Sequence, residues 1–245
     1  MGGREANVVL LDENGIRSDG RKVNETRKIT IKAGVLKNAS GSAYIEFGGN
    51  KILAGVFGPR DVHPKHMSNP DTGILRVRYH MEPFSVDERK KPAPSRREIE
   101  ISKVITEALR PAVMLEKFPR TALDVYLEVL QADGGTRCAA LDAASVAIAD
   151  AGIPMRDLVC ACAAEKAADT IILDVNNEED QAGQADMPIG YMPSLGKITL
   201  LQLDGVLTAD EYKKCIELGL EGCKQVYEIQ KNALREKYFS DGGNN

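Results

Sequence analysis

The chain has 245 residues and a mass of 26.6 kDa, enough for one large domain or two closely joined small ones. Hydrophobic residues make up 43% and charged residues 28%, as in globular proteins with a substantial core, and no apolar run reaches the roughly 20 residues that cross a bilayer. The formal net charge of −4 argues against a general nucleic-acid-binding protein, and the composition excludes membrane-spanning, disulfide-framed and disordered classes.

The charge is unevenly distributed along the chain. Residues 1–120 contain 22 Lys and Arg against 15 Asp and Glu, whereas residues 121–245 contain 10 against 21. This asymmetry predicts a basic face for a polyanion beside an acidic remainder. Two solvated surfaces of different charge would give the same counts.

The cysteines and histidines supply little chemistry of their own. Because no two cysteine pairs have metal-binding spacing, we expect five reduced core thiols in an intracellular, cytoplasmic protein. His63 and His66 lie in the polar stretch 58–73, which predicts an exposed basic loop rather than a metal site. Residues 1–7 lack an apolar signal segment, so we do not expect secretion.

The first half of the chain alternates strands with helices. Strand patterns occur near residues 29–31, at 42–47 and 51–57 around a Gly-Gly-Asn turn, at 75–81 and at 123–129. In the strand 75–81, apolar residues alternate with Arg76, Arg78 and His80, which predicts one buried and one basic face. Ser95 and Glu98 form a predicted capping box for a helix to about residue 109, and an alanine-rich helix covers residues 139–151.

The second half repeats this order. Strands are expected near residues 158–163, 171–175, 188–191 and 198–203, and a long helix from residue 210 to about 238 begins at a capping box of Thr208 and Glu211. The chain therefore predicts an α+β protein of two similar halves that meet near residue 150.

The sharpest motif is Asp-Gly-Gly-Thr-Arg at residues 133–137, between a strand and a helix. Paired glycines allow close backbone approach, and the first N–H groups of a helix are free donors at its positive end, so the motif can hold a phosphate. The GxxxxGK[ST] pattern of a Walker loop is absent. A plain turn with a surface arginine is the alternative interpretation.

Two further features could take part in phosphate chemistry. Arg96 and Arg97 occupy the first turn of a helix, where positive charge opposes the helix dipole, and this placement favours an anionic ligand. The acidic segment 174–186 could direct carboxylates to one point, with Asp186 separated from the run that ends at Asp180. Each feature also fits a solvated surface.

In this order, these segments resemble the RNase PH family of phosphate-dependent 3′→5′ exoribonucleases. The resemblance covers nearly the whole chain from residue 18; its most specific piece is residues 130–137, and residues 179–187 supply a second signature. Residues 79–85 and 95–99 are closer to the catalytic RNase PH-like subunit of the archaeal exosome. Bacterial RNase PH usually has Gly-Arg-Thr-x-Glu there, and this sequence departs from that pattern.

The resemblance implies an RNase PH-like fold of two βαβα halves with mixed sheets and a long C-terminal helix. The expected domains are an extension at 1–17, a first half at 18–152, a second half at 153–240 and a flexible tail at 241–245. It also implies phosphorolysis of RNA 3′ ends, which releases nucleoside diphosphates and can run backwards to add a tail.

The resemblance assigns roles to individual residues. Inorganic phosphate, the co-substrate, would be bound by Arg97, Gly135, Thr136 and Arg137. Asp180 and Asp186 would serve the leaving 3′-oxygen, either by proton donation, with Asp180 favoured as the acid, or through a divalent cation such as Mg²⁺. Arg96 and Lys65 would bind single-stranded RNA, with Arg60 and His66 as weaker choices.

The implied assembly is a six-membered ring around an RNA channel. An inactive RNase PH-like subunit would alternate with this chain, and a trimeric cap of RNA-binding subunits would lie on one side. A homohexameric RNase PH that trims tRNA 3′ ends and a non-catalytic RNA-binding ring subunit are the alternatives.

Overall fold

A computed structural model describes residue 11, residues 16–167 and residues 169–240. The predicted extension 1–17 lies almost entirely outside these residues, and the predicted tail 241–245 lies wholly outside them. The ten strands of this part are β1 (Ile29–Ala33), β2 (Gly41–Phe47), β3 (Asn50–Asp61), β4 (Ile74–Met81), β5 (Thr121–Gln131), β6 (Cys160–Ala167), β7 (Thr170–Leu173), β8 (Ala185–Met192), β9 (Lys197–Leu201) and β10 (Asp204–Gly205). Its α-helices are α1 (Arg96–Leu109), α2 (Thr136–Asp150), α3 (Asn177–Ala182) and α4 (Ala209–Ser240).

The strands form two five-stranded sheets, one from each half of the chain. The first has the order β1-β2-β3-β5-β4 and is mixed, because β4 and β5 are parallel and α1 provides the crossover between them. In the second, β10-β8-β6-β7 with β9 beside β8, every pairing between described strands is antiparallel. The predicted α+β fold with two sheet-and-helix halves is confirmed.

Helix α2 lies between the two sheets and is buried on almost every side. It contacts β2, β3 and β5 of the first sheet and β6 and β8 of the second, and nearly all of its residues are buried. Its many alanines follow from this position, since small side chains let two sheets approach one helix closely. Helix α4 covers β6, β7 and β8 and reaches β1.

The capping signals in the sequence correctly mark the starts of α1 and α4. The Ser95 hydroxyl accepts a hydrogen bond from the Glu98 N–H at 3.2 Å, and the Glu98 carboxylate accepts one from the Ser95 N–H. Thr208 and Glu211 form the same reciprocal pair. All five cysteines are buried and unpaired, as expected of core thiols.

Three details differ from the sequence expectations. Strand β3 continues to Asp61, into the predicted loop, because an irregularity after Phe57 lets it keep pairing with β5. His80 is buried instead of lying on an exposed basic face, since it packs against Glu98 of α1. The acidic segment contains a short helix, α3, capped by Asn176. No described helix is long and apolar enough to cross a membrane.

Gln230 provides a test of how α4 is fixed to the core. Its fully buried side-chain amide donates hydrogen bonds to the Val159 carbonyl at 3.0 Å and to the carbonyl and carboxylate of Asp142 at 3.3 Å. Because Gln230→Ala removes the donor of these three buried hydrogen bonds, we expect the free energy of unfolding to fall by about 1–3 kcal/mol. Urea denaturation should show little change for Gln225→Ala, at an exposed position of the same helix; equal losses would contradict this role.

Candidate active site

The glycine turn at 133–137 packs against the start of α3. Gly134 and Gly135 both have φ near +65°, the left-handed region that glycine adopts without strain. A Cβ on Gly134 would lie 2.7 Å from the backbone carbonyl of Asn176, which caps α3. The missing side chain therefore brings the start of α2 beside the helix that carries Asp180.

Arg27 and Asn50 hold this turn in place through its carbonyl groups. The Arg27 guanidinium donates to the carbonyls of Asp133 and Gly134, and the Asn50 amide donates to the Gly134 carbonyl at 2.5 Å. The Asp133 N–H donates to Asn50 Oδ1 at 2.7 Å. Because the carbonyl groups of the turn face Arg27 and Asn50, the N–H groups that follow point away from these two side chains.

The N–H groups of Gly135, Thr136 and Arg137 have no hydrogen-bond acceptor in the described part of the chain. They stand at the N-terminus of α2, where the helix dipole favours negative charge. The Tyr79 hydroxyl, buried beneath them, donates to Thr136 Oγ1 at 2.9 Å, which leaves the Thr136 proton available to an anion. The start of α2 is thus a set of fixed, unused donors.

Two arginines flank these donors. Arg137 donates to Gln202 Oε1 at 2.6 Å and to Glu100 Oε2 at 3.3 Å, while its buried Nε has no partner. The Arg97 guanidinium forms no hydrogen bond or ion pair with any described residue. Both side chains therefore retain donors that a phosphate could occupy.

Asp180 and Asp186 lie across from the free donors at the start of α2. Asp180 lies on α3, which a buried ion pair between Arg17 and Glu179 fixes to the protein, and Asp186 lies near the start of β8. The two aspartates line a recess of about 40 Å³ together with the predicted phosphate ligands, Arg97, Gly135, Thr136 and Arg137. Several residues that line this recess, including both aspartates, also line a larger cleft of about 540 Å³.

The fold thus brings six of the eight predicted site residues to one place. Arg96 is exposed on the first turn of α1 but is not among the residues that line the cleft, and Lys65 lies in an exposed turn after β3. Asp174, part of the same acidic segment, pairs with buried Arg27 instead, at 2.7 Å. Its role is structural.

Asp186 is placed in an electrostatically unusual setting. Burial, together with the negative charge of Asp180, raises the pKa of its carboxyl to about 6, although Arg137 and Arg97 act in the opposite direction. One of its oxygens, Oδ1, is buried without a hydrogen-bond partner. The group can hold a proton near neutral pH and release it when charge develops nearby.

Glu165 is a cleft residue that the sequence analysis missed. It is 1% exposed, and its place on β6 is directly opposite Asp186 on β8, with Asp204 of β10 next in the same row. Burial and the charges of Asp186 and Asp180 raise its pKa to about 9. Cys162 and Ala164 of the same strand are core residues. Only the alternation of side chains along β6 could have indicated that Glu165 faces the opposite side of the sheet.

Two family models together match most of this chain. Models of the 3′ exoribonuclease family match this chain over residues 25–154, for domain 1, and residues 157–222, for domain 2. The chain belongs to the RNase PH family of 3′ exoribonucleases. The match to its first domain ends close to residue 152, and the match to its second begins a few residues later.

Relatives within the family cover the whole chain. The chain is 80% identical to the exosome complex component Rrp41 of Nitrosopumilus maritimus, over 99% of this chain and 100% of the relative. It is 60% identical to Rrp41 of Thermococcus onnurineus, over 98% and 96%.

Two solved structures share the fold. Rice Rrp46 has a TM-score of 0.79 at 26% identity and covers 89% of this chain and 100% of its own. A chain of the Archaeoglobus fulgidus exosome with RNA bound to the active site has a TM-score of 0.78 at 22% identity, over 88% and 92%.

Glu165 predicts a specific dependence of stability on pH. The folded protein keeps the Glu165 proton up to a pKa of about 9, whereas the unfolded chain releases it near 4.5, so this residue's stabilising contribution is lost as pH rises between those values. Glu165→Gln removes this loss, and its free energy of unfolding relative to wild type should therefore increase from pH 5 to pH 8.

Urea denaturation at both pH values measures this change. Glu221→Gln, at an exposed position of α4, is the matched control and should give the same difference at both. A pH-independent offset for Glu165→Gln would show that Glu165 is ionised in the folded protein.

Proposed function

We propose that this chain is the catalytic ring subunit of an exosome and degrades RNA from the 3′ end by phosphorolysis. The observation that carries the proposal is the convergence of unused anion donors at the start of α2 with Asp180 and Asp186 in one recess. The full-length similarity to relatives named exosome complex component Rrp41 supports the same assignment.

In the proposed reaction, an oxygen of inorganic phosphate attacks the 3′-terminal phosphodiester. A new phosphorus–oxygen bond forms, the bond to the 3′-oxygen of the preceding nucleotide breaks, and a nucleoside diphosphate leaves. Two anions must approach each other for this to occur. Fixed N–H groups of Gly135, Thr136 and Arg137 and the cation of Arg97 would offset their repulsion without reorganising during the reaction.

The leaving 3′-oxygen needs a proton, and we assign its delivery to Asp186. The sequence favoured Asp180, but the buried carboxyl of Asp186 has the raised pKa of about 6 that suits a general acid. Asp180 would act through its negative charge, which keeps the proton on its neighbour. Release of that proton leaves a carboxylate that Arg137 and Arg97 face.

The same two carboxylates also fit a divalent cation. Carboxylate oxygens are the donors that Mg²⁺ prefers, one or two of them suffice beside substrate phosphates, and Asp186 Oδ1 is buried without a partner. A cation held by Asp180 and Asp186 would neutralise charge on the reacting phosphates. Proton donation and cation binding are alternative uses of Asp186.

The proposed substrate is single-stranded RNA bound through its backbone. Arg96, exposed next to Arg97, and Lys65, exposed after β3, would contact phosphates, and contacts of this type give little sequence preference. An inactive RNase PH-like subunit would alternate with this chain in a six-membered ring under a trimeric cap. The cytoplasmic location expected from the sequence stays a prediction.

Product analysis tests the mechanism. The purified chain, assembled with its RNase PH-like ring partner and given 3′-labelled RNA, should release nucleoside diphosphates only when phosphate is present. Asp186→Asn, which cannot donate the proton, should lower kcat at least about 100-fold while RNA affinity stays near the wild-type value. Release of monophosphates without phosphate would disprove phosphorolysis. A homohexamer of this chain alone, active on tRNA 3′ ends, would favour the alternative assembly.

The adjacent arginines separate the two binding roles. Arg97 lines the recess and Arg96 does not, so Arg97→Gln should raise the KM for phosphate about 10–100-fold, as loss of a charged hydrogen bond does. Arg96→Gln should instead raise the KM for RNA and leave that for phosphate unchanged. Steady-state kinetics with each substrate varied in turn distinguish the two, and identical effects of both substitutions would contradict the assignment.

A further inference from the structure

Outside the cleft, three side chains with metal-binding atoms converge at the end of two parallel strands. His80 and Glu128 are direct neighbours in the register of β4 and β5. Glu82 follows β4, and its N–H donates to the Val129 carbonyl at 3.0 Å, which keeps it beside β5. One ligand atom from each of these residues lies within 4.8 Å of the other two. Among the described residues, no other set of three meets this criterion.

The two carboxylates of this cluster lack a positive partner. Glu128 Oε2 is buried and accepts no hydrogen bond, and neither Glu82 nor Glu128 forms an ion pair with a described Lys or Arg. Arg78, two residues before His80 on β4, only partly offsets the effect of burial, which raises the pKa of Glu128. A buried carboxylate oxygen without a partner is costly, and a cation would remove that cost.

The histidine of the cluster lies beside a fixed carboxylate. Its side chain is 10% exposed, and Nδ1 lies 3.2 Å from Glu98 Oε1. Glu98 is itself fixed, because Oε1 accepts from the Met81 N–H at 2.8 Å and Oε2 from the Ser95 N–H. A carboxylate behind a histidine commonly supports the metal bond on its other nitrogen.

We propose that His80, Glu82 and Glu128 bind a divalent transition-metal ion, with Zn²⁺ as the best-suited type. One imidazole nitrogen and two carboxylate oxygens form a donor set that Zn²⁺ accepts, and the imidazole disfavours Mg²⁺. The site is separate from Asp180 and Asp186, so it does not depend on the proposed reaction. It lies beside Glu98 in the first turn of α1, the turn that also carries Arg96 and Arg97.

Metal binding to the full chain tests the proposal. The background variant Asp180→Asn/Asp186→Asn removes the cleft aspartates as ligands, and the metal-stripped protein is titrated with Zn²⁺ by calorimetry and with Co²⁺ by visible absorption. We expect one ion per chain for each metal and no competition from Mg²⁺ at equal concentration. Glu128→Gln and Glu82→Gln should each weaken binding at least about tenfold, whereas Glu88→Gln, at an exposed position nearby, should bind as the background does.

The result that overturns the proposal is equally direct. Absence of saturable binding at one ion per chain, or binding that both glutamine variants leave unchanged, would show that His80 merely pairs with the surrounding carboxylates. Intense charge-transfer absorption from Co²⁺ would place the ion on cysteine sulfur and would also rule the site out. Glu82 lies outside the strands, so its substitution retains the fold even if Glu128→Gln does not, and circular dichroism verifies this.

Discussion

The candidate active-site cleft depends on one buried guanidinium, that of Arg27. It donates to the carbonyls of the glycine turn in the first half of the chain and to the carboxylate of Asp174 at the end of β7 in the second half. The main-chain N–H of Arg27 also donates to Asp174, at 2.7 Å. An arginine and an aspartate buried together are tolerated only as a fully hydrogen-bonded pair, so this contact fixes the turn relative to the segment that leads to Asp180. Arg17 adds a second buried link, to Glu179 and the carbonyls of Leu173 and Asp174.

The charges of the cleft are arranged in opposition. One wall offers free N–H groups, Arg97 and Arg137, and the other offers Asp180, Asp186 and Glu165. Burial and the mutual repulsion of the carboxylates on the acidic wall raise the pKa values of Asp186 and Glu165. An anion at the start of α2 would occupy the free donors, and a proton or cation on the other wall would offset its negative charge. Phosphoryl transfer between two anions requires both kinds of charge compensation.

Local signals account for what the sequence could predict. The capping boxes at Ser95 and Thr208, the alternation in β4 and β5 and the glycine pair before α2 each involve neighbours in the chain, so their structural meaning is independent of the fold. Family resemblance then placed Asp180 and Asp186 opposite the glycines. Contacts across the chain were not accessible in this way: Arg27 with Asp174, Tyr79 with Thr136, and the burial of His80 depend on the packing of distant elements. Glu165 was missed because an acidic residue that follows core cysteines and alanines suggests the end of a strand. Its position opposite Asp186 is set by the pairing of β6 with β8, which is distant in the sequence.

The position of α2 has a consequence for dynamics. The helix whose first N–H groups face the cleft is also the element enclosed by both sheets, so its opening requires the molecule to unfold almost completely. Most substrate-binding loops are among the first segments to exchange their amide hydrogens, but here the donors belong to a segment whose later turns should be among the slowest to exchange. Thermal motion that loosens surface turns would therefore leave the free amides at the start of α2 in place until cooperative unfolding begins.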